Sequence, residues 1–157
     1  MGRRMWALAA ALVIAAPMAA TEEGRIVIRP VRVLDTSGEA RDQAAEHAAR
    51  ARAMEAVLHD ALAAAGRDVV AVPPEELAAR CPRSDPPCLI GLARDAGGER
   101  ILLASVHKTS SLILTLYAHL VDPAANRTVF SRELSFRGDT DDAWTHAAAF
   151  VGRDLLR

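Results

Sequence analysis

The sequence predicts a single α+β domain in which a mixed sheet carries its helices mainly on one face. Three observations predict this fold class. The chain has 157 residues, of which 51% are hydrophobic and 25% charged, and this suits one globular domain and excludes intrinsic disorder. Short β-branched runs alternate with longer segments of helical spacing, in the order β-α-β-α-β-β-β-α. The sequence has no internal repeat or low-complexity linker that would divide the domain.

The first twenty residues have the layout of a secretory signal peptide. Two arginines supply positive charge, residues 5–16 form an uncharged and mostly apolar run, and small residues precede a cleavage point after Ala20. The apolar run is shorter than the roughly 20 residues that a membrane span needs. We therefore interpret residues 1–20 as a signal peptide and residues 21–157 as one periplasmic or secreted domain.

The first strand is predicted over residues 25–34, where β-branched residues dominate, and Asp35 begins a turn. Pro30 has no N–H to donate to a neighbouring strand, so this strand lies at a sheet edge or carries a bulge there. Apolar residues then recur at three- and four-residue steps and predict a helix over residues 43–65, which Gly66 ends.

The middle of the sequence predicts two strands with two helical segments between them. A short second strand covers residues 68–72, and residues 75–80 add one helical turn. Asp85 followed by two prolines is a typical helix N-terminus, and the pair Gly97-Gly98 ends that helix. The third strand covers residues 100–107, and its continuous apolar run predicts burial on both faces.

The last part of the chain predicts a hairpin and a helix. Two long strands, residues 112–121 and 128–136, flank a turn-rich link and form an antiparallel hairpin. Residues 139–142 then begin a final helix that carries Trp144 and aliphatic side chains on one face.

Several stretches of the chain carry a family resemblance. They are VLDTS (33–37), the segment from Cys81 to Cys88, VHKTSSLIL (106–114) and RGDTDDAW (137–144). With these stretches the chain resembles an exported proteobacterial family of unknown function. With its order of elements it also resembles the TolB amino-terminal and CsgG-like periplasmic α/β domains. The resemblance implies a periplasmic domain of this fold and brings no established activity with it.

Cys81 and Cys88 are the two cysteines of the chain, with six residues between them. In an oxidising compartment, two cysteines this close in a proline-rich loop are predicted to form a disulfide. A redox motif has the shorter Cys-X-X-Cys spacing, and a zinc site needs further Cys or His nearby. The pair is therefore interpreted as a structural bond that leaves no free thiol.

Asp139, Asp141 and Asp142 form a local acidic cluster with two interpretations. Carboxylates favour the first turn of a helix, and Asp139 and Thr140 suit an N-cap. A calcium loop needs six or more oxygens on a longer alternating pattern, which is missing here. Capping explains the cluster better, and cation binding at 139–142 stays open as the alternative.

The sequence gives little support for an enzyme or for a metal site. The five histidines, at positions 47, 59, 107, 119 and 146, show no zinc-binding spacing and are interpreted as solvated or core-edge side chains. The sequence contains neither a Gly-rich phosphate loop nor a Gly-X-Ser-X-Gly elbow. Ser105, His107 and Asp35 could form a catalytic triad only if the fold brought their side chains together. A net charge of −1 argues against a protein that binds nucleic acid, because such proteins usually carry a surplus of basic residues. We predict no enzyme, no cofactor and no metal.

Export without a catalytic motif predicts a non-catalytic accessory or protein-interaction domain of the cell envelope. Its partner would be another envelope or periplasmic protein. The candidate partner or ligand surface consists of Lys108, Ser110, Arg137, Asp139, Asp141 and Trp144. The alternative is a periplasmic protein that binds a small ligand or a metal, through the acidic turn at 139–142 or the polar patch near Lys108.

Overall fold

The computed structural model describes residues 24–157, and the predicted signal peptide lies outside them. Strands and helices follow one another as β1 (Ile26–Ile28), β2 (Arg32–Asp35), α1 (Ala44–Ala64), β3 (Val69–Ala71), α2 (Pro74–Arg80), α3 (Pro86–Asp95), β4 (Arg100–Lys108), β5 (Ile113–Asp122), β6 (Arg127–Arg137) and α4 (Asp141–Asp154). The predicted α+β class and the order of elements are confirmed. Two details differ: the first predicted strand is divided into β1 and β2, and the helical turn predicted at 75–80 is the seven-residue helix α2. None of the helices in this part of the chain has the length and apolar character needed to cross a membrane.

The strands form one mixed sheet in the order β3-β1-β4-β5-β6, with β2 also paired to β4. Strands β1 and β2 run parallel to β4, and the hairpin β5–β6 is antiparallel. Ile28 lies opposite Leu102 while Arg32 lies opposite Ser105, so four steps along one strand match three along the other. This shift is the bulge predicted at Pro30. The other prediction for this segment, a position at the edge of the sheet, is correct for β2, which among the described strands pairs with β4 alone. It is not correct for β1, which lies between β3 and β4.

The two long helices, α1 and α4, lie together on one face of the sheet. Met54 and Leu58 of α1 and Trp144 and Val151 of α4 are buried in one hydrophobic cluster with the strand residues of that face. The prediction that helices pack mainly on one face is therefore confirmed for the two long helices, α1 and α4.

Helices α2 and α3 lie on the opposite face, against β1 and the start of β4. Val27 and Ile101 point toward them and form a second cluster with Leu89 and Leu92. The neighbour of Ile101, Leu102, belongs to the first cluster. The centre of the sheet is therefore buried on both faces, as the apolar run of the third predicted strand indicates. The rest of this face, over β5 and β6, is not covered by any helix of residues 24–157.

Candidate functional site

The side chain of Lys108 is fully buried at the end of β4, on the face that α1 and α4 cover. Its Nζ donates to Glu39 Oε2 at 2.9 Å and to Gln43 Oε1, and it lies 3.1 Å from Asp139 Oδ2 and 3.5 Å from Asp35 Oδ2. Burial alone lowers the pKa of Lys108, but the bonds to Glu39 and Asp139 outweigh it and leave that pKa above its ordinary value. The ammonium group is therefore charged and fully paired.

Asp139 is the second centre of this arrangement, and its side chain is 6% exposed. Its Oδ2 accepts from His47 Nε2 at 2.9 Å, and its Oδ1 accepts from Arg50 at 2.8 Å and from Trp144 Nε1 at 3.0 Å. Burial raises the pKa of Asp139, but the hydrogen bonds from His47, Lys108 and Trp144 lower it to about 2. Both carboxylate oxygens are therefore occupied at neutral pH.

These groups come from three separate stretches of the chain, residues 35–50, Lys108 and residues 139–144, and meet at one end of the sheet. We call them the Lys108 cluster, which consists of Asp35, Glu39, Gln43, His47, Arg50, Lys108, Asp139 and Trp144. The imidazole of His47 stacks on the indole of Trp144, with ring centroids 5.8 Å apart. The ring of Phe136 packs nearly perpendicular to the same indole, with ring centroids 6.2 Å apart. Aromatic packing thus holds His47 and Trp144 beside the carboxylate that both contact.

The structure corrects part of the predicted interaction surface. Lys108 and Trp144 are buried, and Asp139 is nearly so, so these three do not present an accessible face to a partner. Strand alternation explains the position of Lys108, since Val106 and Lys108 point toward the core and His107 points away. The predicted N-cap is Thr140, whose Oγ1 accepts from Ala143 N at 3.3 Å.

The other three predicted residues lie closer to solvent around the same end of the sheet. Ser110 is half-buried in the link between β4 and β5, and its hydroxyl accepts from the backbone of Ile113 at 3.1 Å. Arg137 is exposed at the end of β6. Asp141 is exposed at the start of α4, and its carboxylate accepts from Arg50 Nε at 2.8 Å. A surface use of these residues stays a prediction.

Sequence reasoning missed the contribution of helix α1 to the cluster. Gln43, His47 and Arg50 follow one another at four and three residues, a spacing that places them on one face of a helix. This spacing is the feature of the sequence from which a polar group on α1 could have been predicted. His47 is buried beneath Asp139, whereas its sequence context suggested a solvated or core-edge side chain.

The structure does not join the Ser105, His107 and Asp35 triad. His107 Nε2 lies 2.8 Å from the hydroxyl of Thr36, on the face of β4 opposite the Lys108 cluster. Asp35 turns toward that cluster, with its Oδ2 3.5 Å from Lys108 Nζ. Side chains of His107 and Asp35 therefore lie on different faces of the sheet.

The acidic turn at 139–142 already has cationic partners. Asp139 contacts Lys108 and Arg50, and Asp141 contacts Arg50. Within residues 24–157, no three His, Cys, Asp or Glu side chains are arranged to hold a metal ion. Asp139 and Asp141 thus neutralise basic side chains of their own domain.

The predicted disulfide between Cys81 and Cys88 is formed, with the two Cα atoms 5.8 Å apart. It joins the end of α2 to the first turn of α3. The carboxylate of Asp85 caps α3 by accepting from the N–H of Cys88 at 3.1 Å. The short helices on this face are therefore linked covalently to each other.

Exposed apolar side chains lie on the part of the sheet that faces away from α1 and α4 and is not packed against α2 or α3. We call the surface formed by β2 and the adjoining parts of β4, β5 and β6, on the side away from α1 and α4, the outer face. Leu114 and Leu116 point to the core, so Ile113, Thr115 and Tyr117 point to the outer face. Leu34 and Ile113 are 48% and 53% exposed, and Leu112, in the adjacent link, is 68% exposed.

The model of a family described as "Protein of unknown function (DUF2380)" matches residues 25–156. No curated protein matches the chain.

Solved structures have a similar fold at low sequence identity. PelC from Paraburkholderia phytofirmans, solved as a dodecamer, is 13% identical over 85% of this chain and 85% of its own, with a TM-score of 0.53. The lipoprotein GNA1162 from Neisseria meningitidis is 18% identical over 84% of this chain and 97% of its own, with a TM-score of 0.51. LpoB from Escherichia coli is 18% identical over 72% of this chain and 56% of its own, with a TM-score of 0.50. These similarities concern the fold alone. The resemblance to TolB amino-terminal and CsgG-like domains is not among these findings and stays a prediction.

Proposed function

This chain belongs to that family of unknown function, and we propose that it is a non-catalytic accessory domain of the bacterial cell envelope that binds another envelope protein through its outer face. The observation that carries this proposal is the pair of exposed apolar side chains Leu34 and Ile113, with exposed Leu112 in the adjacent link, at one end of a sheet face that no helix within residues 24–157 covers. Exposed apolar surface of this kind marks interaction sites more often than scattered single residues do.

The interior of the domain supports a non-catalytic role. The polar groups of the Lys108 cluster bind one another, and the hydrogen bonds of Asp139 come from side chains of the same domain. Such a network holds β2, α1, β4 and α4 in fixed positions. We infer that the cluster makes the nearby outer face rigid, which lowers the entropy cost of binding a partner.

Export supports the envelope as the place of action. The signal-peptide layout of residues 1–20 predicts secretion, and the disulfide suits an oxidising compartment. A lipoprotein, GNA1162, has a similar fold. Because PelC was solved as a dodecamer, a second copy of the chain is the occupant against which an envelope partner must be distinguished.

A photo-cross-linking amino acid placed on the outer face tests the proposal in the native host. Substitution of Leu34 and, separately, of Thr115 should give a specific cross-link to one envelope protein, identified by mass spectrometry. The matched controls are two exposed residues, Arg94 on α3, near the opposite end of the sheet beside Arg100 and Asp122, and His146 on α4, on the other side of the sheet. They should give no such product.

The cross-links distinguish the alternatives. Products from positions 34 and 115 that contain only a second copy of the chain would replace the envelope partner with self-assembly. The same products from the control positions, or none from the outer face, would overturn the proposal. An Ile113→Asp variant that stays folded should lose the cross-link formed at Thr115, because a charge there opposes apolar burial.

A further inference from the structure

A cavity of about 350 Å³ lies where the bulge between β1 and β2 faces the disulfide loop. Its walls are residues 29–32 of the bulge, Leu77 of α2 and residues 82–84 of the loop. The volume lies at the lower end of the range for small-molecule sites. Of the lining residues within 24–157, none is acidic and three are arginines, Arg29, Arg32 and Arg83.

Arg29 is a buried cation without a counter-ion among the described residues. It is 8% exposed, and its Nη2 donates a hydrogen bond to the carbonyl of Ala104 at 3.3 Å. Its Nε is buried and has no hydrogen-bond partner in this part of the chain. Buried polar groups are nearly always hydrogen-bonded, so an open N–H here needs an explanation.

The surroundings of Arg29 increase its demand for an anion. Burial, and then the neighbouring charge of Arg32, lower the pKa of Arg29, while Glu55 on α1 acts in the opposite direction. Glu55 forms no ion pair with Arg29 within 4 Å, and its carboxylate accepts from the backbone N–H of Val31 at 2.7 Å. An oxyanion in the cavity would satisfy Arg29 and relieve its repulsion from Arg32.

The walls of the cavity are held in place before any ligand binds. Pro30 fixes the bulge that carries Arg29 and Arg32. The Cys81–Cys88 disulfide closes the loop that carries Arg83, and the N–H of Ser84 donates to the carbonyl of Cys81 at 2.8 Å. Fixed walls reduce the ordering cost of binding.

We propose that this cavity binds an oxyanion, the carboxylate or phosphate group of a small ligand, with the guanidinium of Arg29 at its base and those of Arg32 and Arg83 at its mouth. A guanidinium presents N–H donors in a planar fork that matches both anions. This site goes beyond the proposed function and does not rest on it, since it needs neither a protein partner nor the apolar residues of the outer face.

Calorimetric titration of the oxidised protein tests the site, with inorganic phosphate in one series and citrate in another. The ionic strength is held constant with chloride, because non-specific attraction to arginines is screened by salt. Saturable binding of either anion is expected, and the tighter of the two identifies the ligand as a phosphate or a carboxylate. Arg83→Gln should weaken binding by about tenfold, and Arg29→Gln should abolish it. Arg94→Gln, an exposed change on α3, should leave the affinity unchanged.

Two further variants keep the test decisive if Arg29→Gln does not fold. Arg32→Gln alters an exposed side chain and should weaken binding as Arg83→Gln does. The double variant Cys81→Ser, Cys88→Ser should also bind more weakly, since it frees the loop that carries Arg83. Absence of saturable binding of either anion, or equal affinity in the Arg83→Gln, Arg32→Gln and Arg94→Gln proteins, would overturn the proposal.

Discussion

Lys108 shows how a single buried charge can determine the geometry of one end of a domain. Its ammonium group is removed from water and approached by three carboxylates and an amide oxygen. Desolvation of an ion costs several kcal/mol, which paired neighbours can offset only if each bond is well placed. Lys108 therefore fixes the positions of Glu39, in the loop before α1, and of Asp139, in the turn before α4.

Replacement of Lys108 by methionine should lower the free energy of unfolding by about 3–5 kcal/mol, because it removes the cation that buried Asp139 shares with the partly buried Asp35 and Glu39. Urea unfolding followed by circular dichroism measures the change. Arg94→Gln provides the control, since an exposed substitution should alter stability by no more than about 0.5 kcal/mol. A loss in Lys108→Met as small as that of the control would mean that the cluster relaxes or admits water.

Asp139 should make the protein sensitive to acid. Its folded pKa, about 2, lies below the unfolded value of about 3.9, so the stability it contributes is present above the unfolded value. That contribution, about 2–3 kcal/mol, should be lost as the pH falls from about 5 to 2. Urea unfolding at several pH values should show a steeper acid loss in the native protein than in Asp139→Asn. Equal pH slopes in the two proteins would contradict this assignment.

At the scale of elements, the helices α1 and α4 pack so closely that one position has no room for a side chain. A Cβ built on Gly152 of α4 would lie 2.9 Å from the Cβ of Ala61 on α1. The two helices carry the cluster residues His47, Arg50 and Trp144, so their separation also sets the geometry of the Lys108 cluster.

Substitution Gly152→Ala should therefore destabilise the protein by about 1–3 kcal/mol, as overpacking of a core does. The matched control is Gly91→Ala on α3, where nothing lies within 4 Å of the added Cβ. That change should stabilise by about 0.5–1 kcal/mol, because alanine favours a helix interior over glycine. Thermal melting compares the two variants. Removal of the opposing methyl group in an Ala61→Gly, Gly152→Ala double variant should recover part of the loss, and its failure to do so would contradict the contact.

The elements themselves could be predicted from local sequence, and the contacts between distant elements could not. The apolar run of β4 indicated burial on both faces, and Pro30 indicated a bulge, because each depends on residues that are neighbours in the chain. Lys108, by contrast, lies 69 residues from Glu39, its hydrogen-bond partner. In the sequence it stands at the start of a polar link that resembles an ordinary surface loop, so the candidate surface included a residue of the core.

At the scale of the whole molecule, the sheet separates two regions with different means of stabilisation. Helices α1 and α4 and the larger hydrophobic cluster lie on one face. On the other face, α2 and α3 form a smaller cluster, and the disulfide joins them. A short loop closed by a disulfide loses entropy in the unfolded chain, which compensates for a small apolar contact area.

Removal of the disulfide should therefore lower the stability of the whole domain but increase backbone motion only around α2 and α3. The Cys81→Ser, Cys88→Ser protein should lose about 2–3 kcal/mol of unfolding free energy, the value for closing a loop of this length. Amide hydrogen exchange should rise over residues 74–95, which contain α2 and α3, and should change little in α1 and α4, because these helices belong to the other cluster. Mass spectrometry of the exchanged peptides separates the two regions. A uniform rise across both faces would show that the sheet transmits the loss, and the two clusters would then have to be treated as one cooperative unit.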